Sequence, residues 1–378
     1  RVRAALARAR NRAMVEGVPY AFRFLPGGGE FRVGVYEALA DSSGAAAQAS
    51  APLAGGATAG GEYGGVLPRD VYFALSNAAD TETSAGGLAG SMLAFQQSYD
   101  FDFMKVNPRA SYHVEDWGVK LKFSGTPHGK PVILDYPIKQ TADWAKIKVL
   151  KPDQGVLGEH LDALRLIGQG LKGEVPYIQT IFTPLSLAGD LVGSDEQLVL
   201  DIRNAPATVH AALDVITETF VSFAKASLAA GASGIFFATT SWASRRTITE
   251  AEYAEFGRPY DLRVLNAVKD AEFNVLHVCD EHNMLYSLLD YPVHAFNWAS
   301  NSPSNPSLFE AQRRTDKLLI GGLERNVLAE PTPDRALVEL KHARTSTGGV
   351  RWILGPSCSI DTQSSDANIR AVRDALWS

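Results

Sequence analysis

The chain has 378 residues, and 46% of them are hydrophobic, which is enough apolar material for one large buried core. Its formal net charge is −6 and it contains no long run of Lys or Arg, so we expect no nucleic-acid partner, because phosphate binding needs a concentrated basic surface. No stretch approaches about eighteen consecutive apolar residues, so we expect no membrane-spanning segment.

The first twenty residues, RVRAALARARNRAMVEGVPY, have the pattern of a basic amphipathic helix. They lack the apolar centre and small-residue cleavage site of a secretory signal, so we interpret them as a helix that leads into the domain. The chain contains only two cysteines, Cys279 and Cys358, which do not make a disulfide framework. We therefore expect a cytoplasmic protein.

Residues 27–90 are dominated by Gly, Ala, Ser and Thr, and large apolar side chains are rare among them. Such a segment buries too little surface to offset the entropy of ordering it. It predicts a long surface excursion that could serve as a lid or a docking arm, with one short helix near residues 68–80.

Outside this excursion, short apolar runs alternate with helical patterns. The eight runs that predict strands cover residues 19–24, 101–106, 176–182, 234–240, 274–279, 294–298, 317–322 and 351–356. The clearest helical patterns between and after them are at 206–231, 334–347 and 365–378.

Apolar strands that alternate with helices indicate a parallel sheet covered on both faces. Eight such units predict one α/β domain over residues 1–378, a TIM (β/α)8 barrel with a long Gly/Ala-rich insertion after the first strand. An open doubly wound sheet is the alternative. The segment LPGGGEF after the first strand lacks the G-x-G-x-x-G spacing of a nucleotide loop, which weakens that alternative.

His277 and Cys279 are two positions apart at the end of a predicted strand, so their side chains point to the same face. Cys358 follows the last predicted strand. In a barrel all strands open onto one mouth, where one imidazole and two thiolates would form a zinc site of the catalytic type with an open fourth position. The alternative is two buried core cysteines and one hydrogen-bonded histidine.

Several segments together resemble the uroporphyrinogen decarboxylase superfamily. They are YDFDFMKVNPRASYHVEDWG, GASGIFFATTSWAS, VLHVCDEHNMLYSLLDYPVHAFNW, LLIGGLERNVL and WILGPSCSI, and the likeness covers residues 90–378 well and the first 26 loosely. The resemblance implies a TIM barrel from one of two branches. One branch decarboxylates uroporphyrinogen without a cofactor, and the other consists of zinc enzymes that move a methyl group between a corrinoid protein and a thiol or folate.

Most positions of the decarboxylase pattern are filled by other residues here. Arg23 could match the first of its two arginines, and Ser241 matches a substrate-contacting serine. The position of its aspartate is occupied by Arg109, its tyrosine falls near Asp190, and its histidine is replaced by Cys358. An arginine in place of the carboxylate could not accept hydrogen bonds from pyrrole N–H groups.

The methyltransferase branch is marked by His-x-Cys and a later Cys, which correspond to His277, Cys279 and Cys358. Asp280 stands where the family usually has glycine, and it could be a fourth ligand or could only reshape the loop. The implied chemistry is a zinc-activated thiolate that takes the methyl group from methyl-cobalt(III) and leaves cobalt(I). The corrinoid would belong to a partner protein, and a homodimer is the family-level expectation.

Other residues near the predicted mouth are candidates for catalysis or substrate binding, and three of them also have a structural interpretation. Glu115 could support the site or do acid–base work, or belong to a capping and turn cluster. Arg109 could anchor an anionic acceptor or the corrinoid edge, or form a structural ion pair. Asn107 lies beside it. Trp242 could be a pocket wall or a core residue, and Glu324 is the nearest carboxylate after the seventh strand.

We therefore predict a zinc-dependent, corrinoid-linked methyltransferase. A lyase that acts on a porphyrinogen is the alternative enzyme. A barrel that binds a metal or a corrinoid without turnover is the non-catalytic alternative.

Overall fold

The computed structural model describes residues 83–123, 131–361 and 363–376, together with the backbone of two strands at residues 20–24 and 31–35. The predicted N-terminal helix, the predicted short helix near 68–80 and most of the 27–90 excursion lie outside the described residues. A helix that begins at Ala85 overlaps the last residues assigned to that excursion.

The strands, numbered in chain order, are β1 (Tyr20–Phe24), β2 (Phe31–Val35), β3 (Met104–Val106), β4 (Lys120–Lys122), β5 (Val132–Asp135), β6 (Tyr177–Phe182), β7 (Gly234–Ala238), β8 (Val275–Val278), β9 (Ala295–Trp298), β10 (Leu318–Leu323) and β11 (Trp352–Pro356). The helices are α1 (Ala85–Tyr99), α2 (Tyr112–Glu115), α3 (Gly155–Leu171), α4 (Pro184–Val192), α5 (Asp195–Asn204), α6 (Pro206–Ala229), α7 (Glu250–Phe256), α8 (Arg258–Ala267), α9 (Leu308–Gln312), α10 (Asp334–Thr347) and α11 (Asp366–Ala375).

Seven of these strands form one parallel sheet in the order β11-β10-β9-β8-β7-β6-β3. The order follows the chain, as it does in a TIM barrel, where each strand pairs with its predecessor after a helical crossover. The strands are buried along nearly their whole length, which explains why they appear as unbroken apolar runs in the sequence. The predicted α/β class and barrel-like architecture are confirmed.

The first predicted barrel strand is placed differently from the prediction. β1 pairs antiparallel with β2, with Tyr20 opposite Val35, and together they form a separate two-stranded sheet. Only six residues separate the two strands, so their pairing closes a very short loop and has a low entropic cost. Within the described parts of the chain, no eighth strand joins β11 to β3.

The first and last described helices connect the two ends of the curled sheet. The Tyr99 hydroxyl at the end of α1 donates a hydrogen bond to the Asp366 carboxylate at the start of α11. The Arg373 guanidinium donates to the backbone oxygen of Asp100 at 2.7 Å. These contacts bring the segment before β3 against the segment after β11.

Alternate residues of the strands face the inside of the curled sheet and form their own apolar cluster. Its members are Phe103, Ile178, Phe236, Ala238, Phe273, Val275, Ala295, Leu318, Ile320 and Ile353. The same alternation directs Lys105, His277 and Asn297 inward, nearer the carboxyl ends of their strands. The interior is thus apolar towards the amino ends of the strands and polar at the mouth, where their carboxyl ends lie. No helix in the described part of the chain is long and apolar enough to cross a membrane.

Candidate metal centre

His277, Cys279 and Cys358 converge at the carboxyl end of the sheet. His277 lies in β8, Cys279 directly follows that strand, and Cys358 lies two positions beyond the end of β11. Their potential ligand atoms all lie within 4.8 Å of one another, and this is the one His/Cys/Asp/Glu group suited to a metal ion among the described residues. The sequence-based prediction that these three side chains meet agrees with this geometry.

The distance between the two sulfurs discriminates between the chemistries that a cysteine pair could support. Cys279 Sγ lies 3.9 Å from Cys358 Sγ, far beyond the S–S bond of about 2.05 Å in a disulfide. Two Zn–S bonds of about 2.3 Å at a tetrahedral angle would place the sulfurs about 3.8 Å apart. The residues present therefore fit a zinc ion with two thiolate ligands and one imidazole.

Local backbone structure positions the two cysteines. The Cys279 N–H lies 3.4 Å from Thr239 Oγ1 at the end of the neighbouring strand β7. The Ser357 N–H donates to the Leu323 carbonyl at 2.8 Å, which continues the pairing of β10 and β11 up to Cys358. Both sulfur-bearing segments are thus held by the strand beside them.

The two thiols share their proton unequally. A hydrogen bond to Cys279 and a further one to His277 lower the pKa of Cys358. The same contact with Cys358, together with burial, raises the pKa of Cys279. The contact between the two thiols thus favours ionisation of Cys358 over ionisation of Cys279.

Two residues that the sequence analysis did not single out complete the surroundings of His277. Asn297 Oδ1, on β9, lies 2.6 Å from His277 Nδ1. The Phe236 ring stacks on the imidazole with a centroid distance of 5.3 Å. Asn297 lies within the predicted strand at 294–298, but nothing in the sequence distinguished it as a partner of His277.

Lys105 is the third residue that the sequence analysis missed. It is buried, its Nζ lies 4.8 Å from the centre of the Phe236 ring, and it donates to Asn107 Oδ1 at 2.8 Å. Burial lowers the pKa of its ammonium to about 7, while the negative charge of Cys358 acts in the opposite direction. The available signal was a single lysine at an inward position of the apolar run FDFMKV.

Asp280 does not join the three ligand residues. It adopts a left-handed backbone conformation with φ of 70°, and its Oδ1 accepts a hydrogen bond from the Glu281 N–H at 2.7 Å. The same oxygen lies 3.7 Å from Arg246 Nη1. Of our two interpretations, this geometry favours the carboxylate that shapes the loop over the fourth ligand.

Arg109 and Glu115 form a largely buried ion-pair network. Arg109 Nε lies 2.7 Å from Glu115 Oε1, and Arg109 Nη1 lies 2.8 Å from Glu159 Oε1 on α3. Ser111 Oγ also donates to Glu115 Oε1 at 2.8 Å. The structure therefore supports the structural ion pair for Arg109, and it ties Glu115 to that pair and not to the metal ligands.

The remaining predicted substrate residues are engaged with neighbours of their own. Asp190 Oδ2, on α4, lies 2.7 Å from Nε2 of the buried His113. Ser241 Oγ lies 3.4 Å from Asp195 Oδ2. Of these, Asp190 has a side chain that is 48% exposed, so it remains available to a ligand at the surface.

Trp242, Glu324 and Arg23 complete the comparison with the predicted site. Trp242 is only 2% exposed and packs so closely on Gly189 that a Cβ there would come within 2.5 Å of Trp242 Nε1, which favours its core interpretation. Glu324 Oε2 accepts from the Asn326 N–H in its own loop. Arg23 lies in β1, whose side chains are outside the described residues.

Comparison with known proteins identifies the family to which this chain belongs. The model of the family named uroporphyrinogen decarboxylase matches residues 78–377, which include all three candidate ligands. The chain belongs to the uroporphyrinogen decarboxylase family. The predicted resemblance is thereby confirmed.

Relatives of this uroporphyrinogen decarboxylase family member come from both branches. Methylcobamide:CoM methyltransferase MtbA of Methanosarcina acetivorans is 24% identical over 276 residues, which cover 71% of this chain and 78% of that protein. A uroporphyrinogen decarboxylase of Hydrogenovibrio crunogenus is 31% identical over 158 residues, which cover 40% of this chain and 42% of that protein. The methyltransferase match thus spans more of both chains.

Solved structures share the fold of this family member at low identity. A methyltransferase from Methanosarcina mazei has a TM-score of 0.69 at 20% identity and covers 82% of this chain and 93% of its own. A B12-independent methionine synthase from Shewanella has a TM-score of 0.55 at 13% identity and covers 83% and 97%. At this identity the likeness establishes the fold.

Proposed function

We propose that this protein is a zinc-dependent methyltransferase that moves a methyl group from a methylcobamide carried by a corrinoid protein to a small acceptor thiol. The observation that carries the proposal is the 3.9 Å separation of Cys279 Sγ and Cys358 Sγ beside His277. A decarboxylase of the cofactor-free kind has no use for a pair of thiols placed for a metal. The relatives named methylcobamide:CoM methyltransferase, which match over most of their length, support the same reaction class.

The residues of the centre would have different roles in this reaction. His277, Cys279 and Cys358 would hold the ion, and a set of three protein ligands would leave one coordination position for the acceptor. When bound, zinc supplies a Lewis acid that lowers the pKa of an acceptor thiol at that position. Lys105, whose Nζ lies 4.8 Å from the centre of the Phe236 ring, would in its protonated form favour an additional negative charge at the centre.

The transfer itself is a displacement at the methyl carbon. The acceptor sulfur forms a new S–C bond while the Co–C bond breaks, and the electron pair of the Co–C bond stays on cobalt, which passes from cobalt(III) to cobalt(I). The thiol proton leaves to solvent before the attack. The barrel mouth orients the acceptor, and the corrinoid supplies the reactive methyl group from the partner protein.

A thiol is the preferred acceptor because the proposed centre already combines two thiolates with one imidazole. Thiolate ligands reduce the positive charge that zinc presents, which preserves the nucleophilicity of a third sulfur. A folate acceptor remains the alternative within the same reaction class, and the experiment below separates the two.

The test combines metal analysis with a transfer assay. Purified protein is expected to contain about one zinc per chain and to convert methylcobalamin to cob(I)alamin when coenzyme M or 2-mercaptoethanol is added. Tetrahydrofolate in place of the thiol tests the alternative acceptor. A protein that binds zinc without transfer to either acceptor would be a metal-binding barrel, and a metal-free protein that decarboxylates uroporphyrinogen III would establish the lyase.

A further inference from the structure

The side chain of Asn297 connects three strands of the sheet at the level of the metal centre. It lies on β9, is fully buried, and its Oδ1 is 2.6 Å from His277 Nδ1 on β8. Its Nδ2 donates to the carbonyl oxygen of Ile320 on β10 and to that of Pro356 on β11, each at 3.0 Å. Pro356 lies two positions before Cys358, so one amide touches both ligand-bearing parts of the barrel.

These contacts determine which end of the amide faces the histidine. Backbone carbonyls only accept hydrogen bonds, so the group that faces Ile320 and Pro356 has to be the NH2 donor. The oxygen is therefore the atom beside His277 Nδ1, and Nδ1 has to carry a proton in order to donate to it. The second ring nitrogen, Nε2, lies on the side of the imidazole away from Asn297, and it is the ring atom left to serve as a metal ligand.

We propose that Asn297 is the positioning residue of the centre, which fixes the Nδ1–H tautomer of His277, presents Nε2 as the metal-binding atom and anchors the segment that leads to Cys358. This inference rests on the proposed function only in taking the centre to bind a metal ion. The tautomer and its cause are properties of the metal-free chain. Hydrogen bonds of this kind to the second nitrogen of a histidine ligand orient the ring and raise its basicity, and their loss typically weakens metal binding about 10- to 100-fold.

Two substitutions separate the roles of the two ends of the amide. Asn297→Asp keeps an acceptor beside His277 Nδ1 but replaces the donor that faces the carbonyls of Ile320 and Pro356. Asn297→Leu removes both functions at similar volume. If the acceptor selects the tautomer, we expect Asn297→Leu to bind zinc about 10- to 100-fold more weakly than wild type, and Asn297→Asp to retain most of the affinity.

The matched control is Asn274, a second fully buried asparagine at the other end of strand β8. Its Nδ2 donates to the Val268 carbonyl at 2.8 Å, and its Oδ1 accepts from the Ile235 N–H at 3.0 Å. Asn274→Leu therefore removes comparable buried hydrogen bonds away from the metal ligands. We expect it to destabilise the fold while zinc affinity stays close to that of wild type.

The measurements are the nitrogen chemical shifts of 15N-labelled histidine in the metal-free protein and a competition titration with zinc and a chromophoric chelator. In wild type and in Asn297→Asp, the His277 signals are expected to show the proton on Nδ1, and in Asn297→Leu this preference is lost. The signals are assigned with a His277→Gln variant. Because the nitrogen shifts are read without metal and zinc affinity is read without turnover, a failure of methyl transfer leaves both readouts interpretable.

Three outcomes would overturn the inference. One is a wild-type His277 whose Nδ1 carries no proton. This outcome needs no variant, so it decides the matter even if Asn297→Leu does not fold. Another is that Asn297→Asp binds zinc as weakly as Asn297→Leu does. That result would show that the weaker binding comes from the lost hydrogen bonds to Ile320 and Pro356 and not from the acceptor beside His277. The last is Asn274→Leu weakening zinc binding as much as Asn297→Leu does.

Discussion

The sulfur atoms of Cys279 and Cys358 lie 3.9 Å apart although the two residues are 79 positions apart in the chain. The pair forms because β8 and β11 both end at the mouth of one curled sheet, whose curvature brings side chains from strands three places apart towards each other. Neither cysteine is bonded in a disulfide. Two thiols and an imidazole at this spacing are a ligand set for a soft or borderline metal ion.

The first prediction concerns the metal ligands themselves. Cys279→Ala and Cys358→Ala are each expected to reduce zinc content from about one per chain to near zero, because two remaining ligands cannot hold zinc in a tetrahedral site. Elemental analysis of the purified variants checks this. His282→Ala is the matched control, since His282 is exposed, lies near Cys279 and is outside the ligand group. Full zinc content in either cysteine variant would contradict the proposed centre.

The second prediction assigns Lys105 an electrostatic role in acceptor binding. Two protein thiolates would neutralise a divalent ion, so an acceptor thiolate would add a net negative charge, which the buried Lys105 side chain would offset in its protonated form. Lys105→Met is expected to keep zinc and to weaken thiol binding roughly tenfold or more, as measured by calorimetric titration with 2-mercaptoethanol.

Lys317 offers a control for this experiment at the other end of the sheet. It precedes β10, its Nζ lies 5.3 Å from the centre of the Phe296 ring, and burial lowers its pKa as it does for Lys105. Lys317→Met is expected to leave thiol binding unchanged. Equal losses in the two variants would show that the effect comes from general destabilisation.

The third prediction tests the structural role of Arg109. Arg109→Met leaves Glu115 and Glu159 without their cation, and removal of one partner from a buried ion pair costs about 3–5 kcal/mol. Because the two carboxylates are 17% and 25% exposed, solvent screening reduces this cost. We therefore expect the free energy of unfolding to fall by about 3 kcal/mol or less, and the zinc content to stay unchanged. Urea denaturation measures it. Arg165→Met, which removes an exposed pair with Asp162, should change stability by less than about 1 kcal/mol.

The fourth prediction concerns pH and the buried Asp261 on helix α8. The Tyr253 and Tyr291 hydroxyls donate to its Oδ2 at 2.7 and 2.8 Å, and burial raises its pKa to about 7. A raised carboxyl pKa means that the folded state holds its proton more tightly than the unfolded chain does. The contribution of Asp261 to stability is therefore full below the unfolded pKa of about 3.9 and is lost as pH rises towards 7.

Asp261→Asn removes this titration while it keeps an acceptor for both tyrosines. We expect the stability of wild type relative to Asp261→Asn to fall between pH 4 and pH 7, by at most about 1.4 kcal/mol per pH unit for one proton. Urea denaturation at several pH values gives the difference. A difference that does not change with pH would show that Asp261 keeps an ordinary pKa in the folded protein.

Much of this architecture is visible in local sequence patterns. The fully buried strands appear as apolar runs, and the patterns at 334–347 and 365–378 correspond to α10 and α11. His277 and Cys279 were predictable as a pair because the alternation of side chains along a strand needs no tertiary information. The metal ligands could thus be proposed from chain order together with the family resemblance.

The partners of polar side chains were not predictable in the same way. Arg109 looked equally suited to an anionic ligand and to an ion pair, and only the position of Glu159 on α3 shows that the guanidinium is engaged within the protein. Lys105 and Asn297 were overlooked because their importance comes from atoms on other strands. A hydrogen bond depends on distance and angle in space, which chain order does not encode.

The hydrophobic pattern of this chain, with buried strands and amphipathic helices in alternation, was sufficient for its class of fold and for the shared face of His277 and Cys279, since both follow from periods of two and 3.6 residues along the backbone. Cys358 was added from its place after the last predicted strand and from the family resemblance. The tertiary structure alone revealed that β1 pairs with β2, that Asp280 Oδ1 accepts a hydrogen bond from the Glu281 N–H, and that Asn297 Oδ1 lies beside His277 Nδ1. Each of these contacts depends on which of several chemically equivalent partners comes within bonding distance when the sheet curls. The sequence pattern does not determine that choice.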